Sequence, residues 1–310
     1  MSTNQATAFA PGSVANVAIG FDILGFSVDT LGDTVIARRT AEAGVRLKAV
    51  RGIAGDLPLE PEKNTAGQAV IAMLDELKPG FGVELEIEKG IPLSSGLGGS
   101  AASAVAAVVA VNALLDSPVS RLDQLRFAMQ GEQVASGSLH VDNISPSLFG
   151  GLVLTVGIEN PRVKQIPVPD RIRCVIVHPH MFVSTRQARA ILSRTVTMSD
   201  FVWQTANLAG FISGCYTNDL EMIRDSFHDV VIEPQRQTLI PGFGDIRSSA
   251  VAAGALGCSI SGAGPTMFAW CLDTDAEGVR RAMVEAFARQ NLEVDDWIVE
   301  IQAGGARVIA

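Results

Sequence analysis

Gly90-Ile-Pro-Leu-Ser-Ser-Gly96-Leu-Gly98-Gly99-Ser100-Ala-Ala-Ser103 is the stretch on which the reading of this chain turns. It follows a strand-like run over 83–88 and opens an alanine-rich helix expected over 101–115. Gly96, Gly98 and Gly99 crowd the helix start together with Ser94, Ser95 and Ser100. Glycine admits positive φ and lets a ligand come close to the backbone. A helix start offers N–H groups without intrahelical partners and the positive end of the dipole. Together these predict an anion site sized for phosphate, with the Ser100 hydroxyl in reach of a phosphate oxygen or Mg2+. No Gly-Lys-Ser/Thr follows, so this is not a Walker A loop. Gly96, Gly98 and Ala101 formally match G-x-G-x-x-A. A dinucleotide fold, however, needs a following strand that ends in an acidic residue, and here a second helix with Pro118 follows. A turn used only for packing would not call for three serines beside three glycines.

Upstream, the chain opens with glycine-rich turns and then strand-like runs over 34–40 and 45–50. A helix capped by Asn64 carries Val70, Ile71, Leu74 and Leu77 at helical spacing and stops at Pro79-Gly80. Downstream, Ser120 and Asp123 form a capping box for a helix with Leu122, Leu125 and Met129 that runs to about Ala135. A strand over 152–156 is followed by a turn-rich segment with Pro161, Pro167 and Pro169, where the domain boundary is expected. The second part is read as a strand over 173–178, helices from Thr185, from Ser199, near Asp219 and from Asp245, strands over 266–272 and 297–301, and a helix over 275–290. Gly257 is expected to end the helix from Asp245. Interleaved helices and strands in both halves indicate an α+β or α/β two-layer architecture.

Composition narrows the function classes. The 310 residues suit two domains, and 47% apolar with 18% charged residues supports packed cores. Against 24 Lys and Arg stand 33 Asp and Glu, a net charge of −9 that argues against nucleic acid as a partner. The first basic residue is Arg38, so no signal peptide is expected. The apolar stretch over 101–115 is too short for a membrane span and is read as a buried helix. Cys174, Cys215, Cys258 and Cys271 form no CxxC pair, which suits buried thiols in a reducing cytoplasm. His178 and His180 have no spaced partners for zinc.

Pro92-x-x-x-Gly-Leu-Gly-x-Ser-Ala-Ala resembles the ATP-binding motif of the GHMP kinases, apart from Gly99, where the usual form has Ser. Pro11-Gly-Ser-Val-Ala-Asn16-Val-Ala-Ile-Gly20-Phe-Asp22 is similar to the family's N-terminal motif. Ser259-Ile-Ser261-Gly262-Ala-Gly264-Pro265-Thr266 is similar to its C-terminal glycine motif. Three such segments in the family's order span the chain. The resemblance implies an α+β, two-domain GHMP kinase fold. Residues 1–165 would be a ribosomal S5 domain 2-like ATP-binding domain, and 166–310 a ferredoxin-like C-terminal GHMP domain. It implies nucleotide contacts from Pro92, Leu93, Ser94, Ser95, Gly96, Leu97, Gly98, Gly99, Ser100, Ala101 and Ala102, and from Ser261, Gly262 and Gly264.

Further segments resemble the family's homoserine kinase branch: Glu132 followed by His140-Val-Asp142-Asn143, then Val183-Ser-Thr185-Arg-Gln-Ala-Arg189, then Glu233-Pro-Gln-Arg236. A zwitterionic amino acid needs a cation for its carboxylate and an anion for its ammonium. Arg189 and Arg236 supply planar forks for the first, and Asp22 with Asn16 could receive the ammonium and hydroxyl end. The resemblance implies that Asn16, Asp22, His140, Thr185, Arg189 and Arg236 line the amino-acid pocket and that Ser100 and Glu132 hold Mg2+. The catalytic set implied is Asn143, Arg189 and His140, with Asn143 where several relatives place an Asp base. ATP and L-homoserine are then the expected substrates, in threonine biosynthesis, with no nucleic-acid or membrane partner, a cytoplasmic setting and room for a homodimer.

Taken singly, these residues have structural alternatives. Arg189 could be a solvated charge, Arg236 a loop pin, His140 a structural histidine, Asp22 an Asx turn, Glu132 a polar helix face and Thr185 a helix cap. Other functions consistent with the motifs are a GHMP kinase for another small alcohol and a non-catalytic ligand binder; an NAD-dependent enzyme is disfavoured by the missing acidic strand end.

Overall fold

The computed structural model describes residues 4–53, 57–136, 141–157 and 159–310. In chain order the first part contains β1 (Gln5–Ala15), β2 (Leu24–Thr40), β3 (Val45–Gly52), α1 (Thr65–Leu77), β4 (Gly82–Lys89), α2 (Gly99–Asn112), α3 (Arg121–Ser136), α4 (Val141–Phe149), β5 (Leu152–Val156) and β6 (Arg162–Ile166). The second contains β7 (Ile172–Pro179), α5 (Thr185–Ala190), α6 (Met198–Thr217), α7 (Leu220–Ser226), α8 (Glu233–Arg236), α9 (Phe243–Ala252), β8 (Ala255–Ile260), β9 (Met267–Leu272), α10 (Ala276–Ala288) and β10 (Val294–Glu300), and β11 (Arg307–Val308) closes the chain.

The larger sheet runs β11-β1-β2-β4-β3, with β5 paired to β2 and β6 to β5. Only β3 and β4 pair in parallel among the described strands of this sheet. The smaller sheet has the order β10-β7-β9-β8, all antiparallel. Two α/β units joined by short connections give the expected two-domain layout. The last strand returns to β1, so the chain ends in the sheet where it began.

Helix α2 is apolar on every side, and Ala101–Val111 are buried without exception. Such a helix belongs inside the layers rather than over them, and it packs on α1, α3 and α4 as well as the sheet. Asn64 caps α1 through the N–H groups of Ala66 and Gly67, and the Ser120–Asp123 box starts α3. The two units share an apolar joint. Phe26 of β2 meets Phe268 and Trp270 of β9 edge-on, each at 5.9 Å between ring centroids, and Phe211 and Phe227 complete the cluster.

Several elements differ from the sequence reading. The opening segment forms β1; Pro11 and Gly12 fall where its register against β2 shifts, which disguised the strand as turns. Strand β2 begins ten residues earlier than expected because its first residues, Leu24–Phe26, pair with β5 while its second half pairs with β4. Helix α4 carries Pro146 in its interior, a residue that ordinarily breaks a helix. Gly257 does not end a helix. It lies inside β8, where a Cβ would sit 2.2 Å from the Phe227 ring, and α9 already stops at Ala252. Among the described residues no helix is long and apolar enough to cross a membrane, and all four cysteines are free and buried.

Candidate active site

The loop between β4 and α2 turns through left-handed conformations at Ser94, Gly96 and Gly98. Gly98 is the residue before the helix, with φ 68° and no side chain to cap it. A Cβ there would lie 2.2 Å from Ser13 Oγ and 2.8 Å from Asn143 Oδ1, so both conformation and space require glycine. The first intrahelical bond runs from Ala102 N–H to Gly98 O. The N–H groups of Gly99, Ser100 and Ala101 precede it without intrahelical partners at the positive end of the helix dipole, a cradle whose chemistry suits an anion.

A buried ion pair lies under this cradle. Lys89 at the end of β4 donates to the Asp33 carboxylate, to Ser103 Oγ at 2.8 Å and to Gly99 O at 2.7 Å. Asp33 also accepts the Gly90 N–H at 3.0 Å and the Ser103 hydroxyl at 2.6 Å. All three donors of the ammonium are therefore used, and the first turn of α2 is fastened to the sheet.

The C-terminal glycine segment closes against the same loop. Ser261 Oγ donates to Gly96 O at 2.6 Å, Thr266 N–H to Ser95 O at 3.3 Å, and Gly262 N–H to Ala15 O at 3.2 Å. The three glycine motifs thus meet around one cavity of about 360 Å3. Pro92, Leu93, Ser94, Ser95, Gly96, Gly98, Gly99, Ser100 and Gly262 line it. Leu97, Ala101 and Ala102 are instead buried in the core, Ser261 is a buried buttress, and Gly264 does not reach the wall.

At the other end lies the charged cluster. The turn after β1 holds Asn16, Val17, Ala18 and Asp22 at positive φ, a costly backbone that is typical of binding sites. Asn16 stabilises it: its Nδ2 donates to Gly262 O at 3.0 Å and its Oδ1 accepts the Asp22 N–H at 3.1 Å. Arg189 donates to both oxygens of Asp22, at 2.7 and 3.0 Å. Arg236 is buried; its Nε donates to Ala188 O and its Nη1 to Gly262 O, each at 3.0 Å. Burial, and then the neighbouring Arg189, pull its pKa down to about 10, so it stays charged at neutral pH. Phe21, which the sequence reading passed over, lies under both guanidiniums, 5.3 Å from Arg189 and 5.1 Å from Arg236. Its π face offsets the repulsion of two adjacent cations.

Helix α8, which carries Arg236, is held from behind. Asp229 accepts the N–H groups of Val231, Ile232 and Glu233. Buried Glu233 takes the Ser259 hydroxyl and, at 3.0 Å, Arg247, while burial raises its pKa. In this Glu-Pro-Gln-Arg segment the acid anchors and the arginine faces the cavity.

Between the two ends, Ser100 Oγ donates to Glu132 Oε1 at 2.9 Å. Asn143 and Thr185 line the wall. Thr185 is the first residue of α5, whose cap is Ser184, so the capping alternative for Thr185 falls away. His140 lies outside the described residues. Lys89, Asp33, Ser103, Ser13 and Phe21 were missed. Ser13 and Phe21 sit inside the N-terminal motif and Ser103 ends the glycine-loop stretch, while Lys89 directly precedes that stretch; none of these positions announced its partner.

Residues 64–151 match the family description "GHMP kinases N terminal domain" and 211–289 match "GHMP kinases C terminal". A homoserine kinase of Xylella fastidiosa is 48% identical over 309 residues, covering 99% of this chain and 95% of that protein. One from Chlorobium phaeobacteroides is 41% identical over 316 residues, covering 98% and 99%. The solved homoserine kinase of Cytophaga hutchinsonii superposes with a TM-score of 0.95 at 42% identity, over 100% of this chain and 98% of that one. This chain belongs to the GHMP kinases, among the homoserine kinases. The mevalonate kinase of L. major, at 17% identity and a TM-score of 0.70, shares the GHMP kinase fold. Membership accounts for the convergence of three distant glycine motifs on one cavity. It also removes the dinucleotide alternative: α2 leads into α3 and α4, not into a strand.

Proposed function

We propose that this protein transfers the γ-phosphoryl group of ATP to the side-chain hydroxyl of L-homoserine, giving O-phospho-L-homoserine in threonine biosynthesis. The observation that carries this is the polarity of the cavity. A helix-start cradle occupies one end, and one carboxylate with two guanidiniums, Asp22 with Arg189 and Arg236, occupies the other. A zwitterion can exchange for the Asp22–Arg189 bond so that each of its ends meets an opposite charge: its ammonium goes to Asp22 and its carboxylate to the arginines. A sugar has no ionic end, and mevalonate no ammonium, to exchange for the Asp22–Arg189 bond, which favours an amino acid.

In the reaction the hydroxyl oxygen bonds to the γ-phosphorus while the bond to the β,γ-bridging oxygen breaks, leaving ADP. Such transfers depend on positioning and charge neutralisation. The amides at 99–101 hold phosphate oxygens, Lys89 keeps them in place through Gly99, and the arginines orient the acceptor. Asn143 cannot take a proton, and the hydroxyl proton leaves late, to a phosphate oxygen, although the neighbouring Asp142 carboxylate also lines the cavity. Ser100 and Glu132 present a hydroxyl and a carboxylate side by side, hard oxygen donors that fit Mg2+ completed by nucleotide phosphates. The ion would supply further neutralisation of the phosphate charge.

The same reading takes 1–165 as the ATP-binding domain and 166–310 as the C-terminal domain, although β6 runs to Ile166 and β11 returns to the first sheet, and it places the protein in the cytoplasm, which the four buried thiols favour. A homodimer is favoured by α6, whose surface exposes Met198 and Trp203 at 75% and 60%. The test is coupled ADP release with Mg-ATP and L-homoserine beside serine, threonine and mevalonate. Turnover of homoserine well above the others is expected; preference for mevalonate, or no homoserine-dependent release, refutes the reading.

A further inference from the structure

We propose that Ser13 is a positioning residue for phosphoryl transfer: its buried hydroxyl fixes the Asn143 amide so that the NH2 group faces the reacting phosphate. Ser13 lies in β1 just past the register shift at Pro11/Gly12. It is 0% exposed. Its N–H donates to Leu97 O at 3.0 Å, which ties β1 to the phosphate loop. Its Oγ donates to Asn143 Oδ1 at 2.9 Å, and Asn143 is the partner this hydroxyl has among the described residues. The two side chains meet over the Cα of Gly98, the residue that starts the anion cradle.

Chemistry fixes the orientation of the amide. A buried hydroxyl proton needs an acceptor, and leaving it without one costs most of a desolvation penalty. Turning the amide over would put its NH2 on Ser13 and strand that proton. With the carbonyl held by Ser13, the group left for the cavity is a two-proton donor. A donor there can grip a γ-phosphate oxygen or a lone pair of the attacking hydroxyl. Either contact fixes one of the two reacting partners in line with the other, and neither removes a proton. Asn143 is then an electrostatic and orienting group whose direction is set from the buried side. Glycine at 98 follows from the same contact, since a Cβ would push the pair apart.

This inference rests on the kinase reading above, and the experiment separates the two. Steady-state kinetics would be measured with Mg-ATP and L-homoserine for the wild type, Ser13→Ala, Ser13→Cys, Asn143→Ala and the double Ser13→Ala/Asn143→Ala. The expected result is a fall in kcat of about tenfold for Ser13→Ala, the worth of one hydrogen bond in a dry site. KM for each substrate should stay within about twofold and the Tm close to wild type. Ser13→Cys, similar in volume and a weaker donor, should fall between. The double variant should be no slower than Asn143→Ala alone, because Ser13 acts only through that amide. Unchanged kcat in Ser13→Ala overturns the proposal. So does an equal loss from Ser13→Ala in the Asn143→Ala background, which a merely structural role would give. If Ser13→Ala does not fold, a Ser13→Cys variant that folds with wild-type kcat overturns it equally. Absence of homoserine-dependent turnover in the wild type would instead refute the kinase reading, and this inference with it.

Discussion

Replacing Lys89 by Met removes a charge that the fold has taken wholly out of water. Lys89 is 3% and Asp33 0% exposed, and in the variant Asp33 keeps only the Gly90 N–H and the Ser103 hydroxyl. Breaking one partner of a buried ion pair costs about 3–5 kcal/mol, because the survivor stays buried and charged. The bond to Gly99 O adds about 1 kcal/mol. With a urea dependence of about 3 kcal/mol/M, the midpoint should fall by about 1–2 M. Asp33→Asn together with Lys89→Met removes both charges. Asn at 33 can still accept from Gly90 and donate to Ser103, so the double variant should recover most of the loss. The tether to Gly99 is missing from both, so KM for ATP should rise several-fold in each while KM for homoserine holds. Urea unfolding followed by fluorescence and two-substrate kinetics would measure this. A shift under 0.3 M for Lys89→Met, or a double variant as unstable as the single, would refute the reasoning.

Arg236→Lys keeps the charge and loses the planar fork that bonds Ala188 O and Gly262 O over Phe21. KM for homoserine should rise tenfold or more with KM for ATP unchanged; equal losses for both would mean that the arginine only supports the fold. Ser100→Ala should lower kcat/KM for Mg-ATP about tenfold without moving the Tm, and identical activity across a Mg2+ titration would contradict the role given to the Ser100–Glu132 pair. His178 is bonded to Thr266, and burial first, then His180, lower its pKa from 6.5 against the pull of Asp295. The folded state therefore binds its proton less readily than the unfolded chain, so stability is full above about pH 6.5 and is lost as pH falls through that value towards the folded pKa. The Tm should drop between pH 7 and 5, and His178→Gln should flatten that slope; an unchanged slope assigns it to other groups.

What the sequence determined by itself was local. A helix apolar all round, such as α2, has to be buried, and Asn64 and Ser120 cap helices through atoms two or three residues away. The positive-φ glycines of the loop and the helix start behind them were legible for the same reason: such a backbone and its N–H groups without intrahelical partners are properties of a short segment. Pro146 hid α4, and Pro11-Gly12 hid β1, because local breakers were overruled by tertiary contacts, the packing of α4 on β1, β2 and β5 and the pairing of β1 with β2. Only the tertiary structure decided what the polar side chains do. Lys89 finds Asp33 across 56 residues, Ser13 finds Asn143 across 130, and Phe21 slides under Arg189 and Arg236. No periodicity announces such pairs. Burial dictates that each lone donor, acceptor or charge must find a partner, but which one it finds is set by which strands and helices, far apart in sequence, the fold lays side by side.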